Sequence, residues 1–97
     1  MIRKTKTNGE KVTVTFILPE NHPYGATSVV GDFNNWNPNT HAFQKQENDT
    51  FSISVILPTG QQFRFRYLGE GGKWFDEDAS DGYEPNEYGS GNSILDT

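Results

Sequence analysis

The residue types with the most chemical content in this chain are its two tryptophans, Trp36 and Trp74, and the arginines Arg64 and Arg66. An indole exposed to water can lie flat on the apolar C–H face of a sugar ring, and both surfaces shed water. Arginine and asparagine side chains can bond sugar hydroxyls without any change of charge. An exposed Trp with Arg beside it is equally what a protein-binding hot spot looks like. A second constellation is acidic. Asp76, Asp78, Ser80 and Glu87 fall at positions 1, 3, 5 and 12 of an EF-hand loop. Asp81 stands at the sixth position, where Gly is required, and Pro85 and Gly89 oppose a flanking helix. Asp76, Glu77, Asp78 and Asp81 also offer carboxylates of the kind glycosidases pair about 5–10 Å apart, but a small domain offers little cleft. His22 and His41 lie far apart in turn-rich sequence, with no Cys nearby, and make neither a zinc site nor a nucleophilic pair.

These residues must be positioned by a small fold. The chain has 97 residues, with 32% hydrophobic, 13% aromatic and 22% charged. Such a length is that of one domain and buries about 60–65% of its unfolded surface. The mean hydropathy of −0.77 leans towards disorder, but disordered chains are poor in aromatics. The core is therefore expected to rest on rings. Eight basic residues against thirteen acidic give a net charge of −5, which disfavours nucleic acid and anionic membrane as partners. The absence of Cys excludes disulfides and thiolate metal sites. Neither an apolar signal segment nor a membrane-length apolar run is present, so a cytoplasmic location is expected. Asn48-Asp49-Thr50 is read as a turn, not a glycosylation site.

The hydrophobic period is two. Val12, Val14, Phe16 and Leu18 alternate with Thr13, Thr15 and Ile17. Further strands are expected at 27–32, 41–45, 51–57, 63–67, from Lys73 to Phe75, and at 93–95. The pattern of Phe63, Phe65 and Tyr67 against Arg64 and Arg66 is the clearest. Residues 76–91 read as an acidic loop, and the first nine as a frayed, flexible segment ahead of a domain over 10–97. About seven short strands with frequent turns predict an all-β, immunoglobulin-like antiparallel β-sandwich.

One segment is more specific. Val29-Val30-Gly31-Asp32-Phe33-Asn34-Asn35-Trp36-Asn37-Pro38 resembles the signature of carbohydrate-binding module family 48, the isoamylase N-terminal or early-set domain. The likeness continues through Gln62 to Tyr67, Lys73 to Asp76 and Gly89 to Leu95, and covers roughly residues 10–97. Such domains precede the barrel of glycogen branching and debranching enzymes, and one forms the glycogen-binding domain of the AMP-activated protein kinase beta subunit. The resemblance implies a carbohydrate site at Trp36, Trp74, Arg64, Tyr88, Ser90 and Asn92. Arg64 stands where the kinase subunit has Lys. The turn Gly69–Gly72 before Trp74 is about three residues longer than its counterpart there.

The expected function is thus non-catalytic binding of an α-glucan such as glycogen, starch or a maltodextrin, with no cofactor, no metal and no enzyme activity. The alternative is a protein-interaction module, docking on a glycan-metabolising enzyme or a kinase, with glycan binding lost. Less specific roles stand beside each site residue. Trp36 can be a core ring, Trp74 can pack on Phe63 or Tyr67, the arginines can be a solvated face or an edge guard, and Asn92 can be a turn residue. Gly31, Gly60 and Gly89 are read as backbone requirements.

Overall fold

The computed structural model describes residues 1–85 and 91–97. Two antiparallel sheets pack face to face as a β-sandwich, as the sequence pattern predicts. Nine strands occur among the described residues: β1 (Ile2–Lys6), β2 (Lys11–Leu18), β3 (Ser28–Gly31), β4 (Gln44–Lys45), β5 (Phe51–Pro58), β6 (Gln62–Gly69), β7 (Lys73–Phe75), β8 (Gly82–Pro85) and β9 (Gly91–Asp96). One sheet runs β1-β2-β5-β4. The other runs β3-β6-β9-β8, with β7 also paired to β6. No helix among the described residues is long and apolar enough to cross a membrane.

Alternation determines what goes inside. Val12, Val14, Phe16 and Leu18 of β2 point into the sandwich, and Phe65 and Tyr67 of β6 meet them from the other sheet. The centre is aromatic. Phe16 and Phe65 have centroids 5.2 Å apart, and Phe16 meets Tyr67 edge-on at 6.2 Å. Burying each such side chain contributes about 1.5–3 kcal/mol. The Tyr67 hydroxyl does not sit unpaired in this core. It donates to Glu77 Oε2 at 2.5 Å, and burial, then the Glu77 charge, pushes its ionisation far above the ordinary phenol range.

Three elements depart from expectation. The first residues are not frayed: β1 pairs along β2 from Ile2↔Phe16 to Lys6↔Val12, and Ile2 packs on the core. Its single inward apolar side chain is too weak a periodic signal to read alone. The acidic stretch after Phe75 contains β8, which pairs with β9 at the sheet's edge, where Pro85 is tolerated. The strand expected at 41–45 is split. Ala42 bridges Ser28 of β3, and the chain then crosses to the other sheet as β4. Of the carboxylates, Asp76 accepts from Arg66 and Asp81 from Lys4. Burial raises the Asp81 carboxyl, but the Lys4 and Asp96 N–H bonds outweigh it and hold it below its ordinary value. Glu87 lies outside the described residues.

Candidate functional site

Four of the residues named above fall on the outward face of the five-stranded sheet. Along β6, Phe63, Phe65 and Tyr67 turn inward, so Arg64, Arg66 and Leu68 turn outward. Leu68 stands opposite Trp74 of β7, Arg64 opposite Ile94 of β9, and Asn92 opposite Glu84 of β8. Register thus places Arg64, Arg66, Trp74 and Asn92 on one face. Tyr88 and Ser90 lie outside the described residues.

Trp74 is 47% exposed. It does not pack on Phe63 or Tyr67, which belong to the other face; the ring against Tyr67 is Phe75, at 5.1 Å. The Arg66 guanidinium instead sits 5.3 Å from the Trp74 ring centroid, a cation–π contact. Asp76 holds that guanidinium through Arg66 Nε at 3.0 Å. The indole is therefore braced while much of it faces water.

Trp36 is tied to β6 by a different route. Gly31 ends β3 so close to β6 that a Cβ there would come within 2.5 Å of the Arg64 carbonyl oxygen. That approach lets the next residue, Asp32, accept the Arg64 backbone N–H at 2.8 Å. A 3-10 turn (Asp32–Asn34) follows, then Asn35 and Trp36 with φ of 56° and 57°. A bulky residue in the left-handed region costs on the order of 1–3 kcal/mol and persists only where its surroundings enforce it. Here Trp36 N donates to Gly31 O at 3.0 Å, and Trp36 Nε1 donates to Asp32 Oδ1 at 3.2 Å. Trp36 is half-buried and lies outside the aromatic core.

Asp32 thus ties Trp36 to β6, and no signal but its place four residues before the Trp suggested it. Replacing Asp32 with Ala should free both the indole N–H and the Arg64 N–H. Trp emission should shift to the red and stability fall by about 1–2 kcal/mol, as read by fluorescence and thermal melts. Asn should not restore both bonds, because its amide offers one acceptor where two are used.

The loop is stapled from below by Asn34. Its Oδ1 accepts from Gly31 N at 3.0 Å, and its Nδ2 donates to Val29 O at 3.0 Å and to His41 Nδ1 at 2.9 Å. His41 must therefore be neutral with Nδ1 unprotonated, and burial lowers its pKa in the same sense. The unfolded chain takes up a proton near 6.5, before the folded protein does. The His41 contribution to stability is therefore whole above that value and is lost as pH falls through the lowered one. Thermal midpoints should fall between about pH 7 and pH 5, and His41→Gln should flatten that part of the slope.

The arginines are not a merely solvated face. Arg64 Nε donates to Glu84 Oε2 at 2.7 Å and Nη2 to Oε1 at 3.4 Å. Its Nη1 lies 3.8 Å from Asp32 Oδ2. The hydrogen bond and charge of Glu84 raise the Arg64 pKa further, so the group stays cationic. Contacts thus link Trp36 to Asp32, Asp32 to Arg64, and Arg64 to Glu84. Glu84 escaped the sequence reading because its pairing spans an unrecognised strand.

No family model matches the chain. An amylopullulanase from Thermoanaerobacter thermohydrosulfuricus is 32% identical to it over 82 residues, which is 82% of this chain and 5% of that enzyme. The chain is similar to one short stretch of a much larger protein.

Proposed function

We propose that this domain is a non-catalytic module that binds α-1,4-linked glucan, with the sugar stacked on Trp74 and Trp36 and its hydroxyls bonded by Arg64 and Asn92. The observation that carries this reading is the exposed Trp74 indole, braced by Arg66 on the sheet face that also bears Arg64 and Asn92. A platform held before the ligand arrives spares the ordering cost of binding. Tyr88 and Ser90 belong to the same proposed site through the family resemblance. Likeness to part of an amylopullulanase supports a glucan as the ligand. A neutral polysaccharide also suits a domain whose net charge is −5.

Stacking with a few hydroxyl contacts gives roughly −4 to −6 kcal/mol, or millimolar to tens-of-micromolar affinity. The test is titration with maltoheptaose, followed by tryptophan fluorescence, with a β-linked cello-oligosaccharide in parallel. A saturable change with the α-linked sugar alone is expected. No change at about 10 mM would contradict the reading and favour a protein partner instead.

A further inference from the structure

We propose that the outer edge of β1 takes up an extended acidic segment of a protein partner as an added strand. This edge belongs to the other sheet from the proposed glucan site and does not depend on it. β1 ends the four-stranded sheet, and among the described residues no strand pairs with its far side. Ile17 N donates to Met1 O at 2.8 Å, and Thr7 N donates to Lys11 O at 3.2 Å. Bonded pairs alternate along an antiparallel ladder, so Arg3 and Thr5 are the residues between them that bond to β2. The N–H and C=O groups of Ile2, Lys4 and Lys6 therefore aim away from the sheet, along an edge about 17 Å long.

The opposite sheet runs one strand further at this flank. β2 faces β6 through Phe16 and Phe65. Next outward come β1 on one sheet and β9 on the other, and β8 lies beyond, with no strand across from it among the described residues. Tyr83 of β8 stands opposite the buried Ser93, on the inward side, yet it is 59% exposed. Lys4 reaches across the flank to Asp81, just ahead of β8. A strand added to β1 would fill the open place and cover the Tyr83 ring. Main-chain bonds would supply affinity, and alternate side chains selectivity.

Charge selects the occupant. Arg3, Lys4, Lys6 and Lys11 are four of the eight basic residues in a chain whose net charge is −5. All four are exposed. Lys4 pairs with Asp81, and Arg3, Lys6 and Lys11 make no ion pair among the described residues. Basic side chains on an edge discourage strand addition, and here they oppose a second copy, since β1 against β1 would set like charges together. An acidic strand meets the reverse situation. Its inward residues can be apolar, over Tyr83, while its outward acids lie beside Arg3.

The experiment titrates the intact domain with three short peptides, read by NMR and amide hydrogen exchange. One alternates Glu with Val, one alternates Lys with Val, and the third is the Glu–Val peptide N-methylated at two adjacent central residues. Neighbouring N–H groups point to opposite edges of a strand, so methylation removes a donor whichever edge is presented. The acidic peptide should shift the Ile2, Lys4 and Lys6 amide signals. At about ten times its dissociation constant it should slow their exchange about tenfold. The methylated copy should bind about tenfold more weakly, and the basic peptide not measurably. Arg3→Glu combined with Lys6→Glu should reverse the preference between acidic and basic peptides. Equal binding of the methylated copy, or β1 signals that stay in place, would overturn strand addition. Equal binding of the acidic and basic peptides would overturn selection by charge, and binding of none would overturn the proposal. Self-association of the unaltered domain through β1 would overturn it in favour of a second copy. These comparisons need no variant to fold.

Discussion

Trp74→Ala is expected to remove measurable α-glucan binding while shifting the thermal midpoint by no more than a few degrees. A Trp side chain offers about 150–250 Å² of contact area, and the 47% left exposed makes roughly 100 Å² available to a sugar. At about 25 cal/mol per Å² that is about 2.5 kcal/mol, a loss near a hundredfold. Binding that begins at hundreds of micromolar would then lie beyond any practical concentration. The fold should tolerate the change, because no core residue depends on the ring and its close neighbour, the Arg66 guanidinium, keeps Asp76. Calorimetric titration and a melt on one sample decide it. Retained binding would remove Trp74 from the site, and a collapsed melt would make it a structural ring.

Phe16→Ala should have the largest effect on stability, about 3–5 kcal/mol. Phe16 is fully buried and sits among Phe33, Phe65 and Tyr67 at 6.1, 5.2 and 6.2 Å. Truncation leaves a hole that strands paired on both sides cannot close. A domain of this size holds about 5–15 kcal/mol in all, so the midpoint should drop by roughly 15–30 °C. The loss should also reach the proposed binding face. Phe65 is the neighbour of Arg64 on β6, and Phe33 lies within the 3-10 turn that leads to Trp36. A drop below about 5 °C would show that the core is not organised around this ring.

The strands that carry the sandwich could be read from the chain because each has several inward apolar residues at period two. This is plain for β2, β5 and β6. β1 and β8 could not, for a physical reason: both are held by pairing to a neighbour, and their own side chains say little. Ile-Arg-Lys-Thr-Lys has one core residue, and Gly-Tyr-Glu-Pro carries two turn formers. The site divides the same way. Trp74, Arg64 and Asn92 share a face by alternation and register, which follow from local sequence once the strands are known. Asp32 and Glu84 contribute through bonds between distant strands. The left-handed backbone of Trp36 is held by its bonds to Gly31 and Asp32, against the preference of a bulky residue.

A shared glucan platform requires both indoles to meet the same ligand. The most direct test is a titration of the labelled domain with maltoheptaose, following the two indole N–H signals by NMR. Both should shift together and saturate with the same dissociation constant, alongside the Arg64 and Asn92 backbone signals. Indole signals that stay in place at about 10 mM sugar, or that move with different constants, would contradict it.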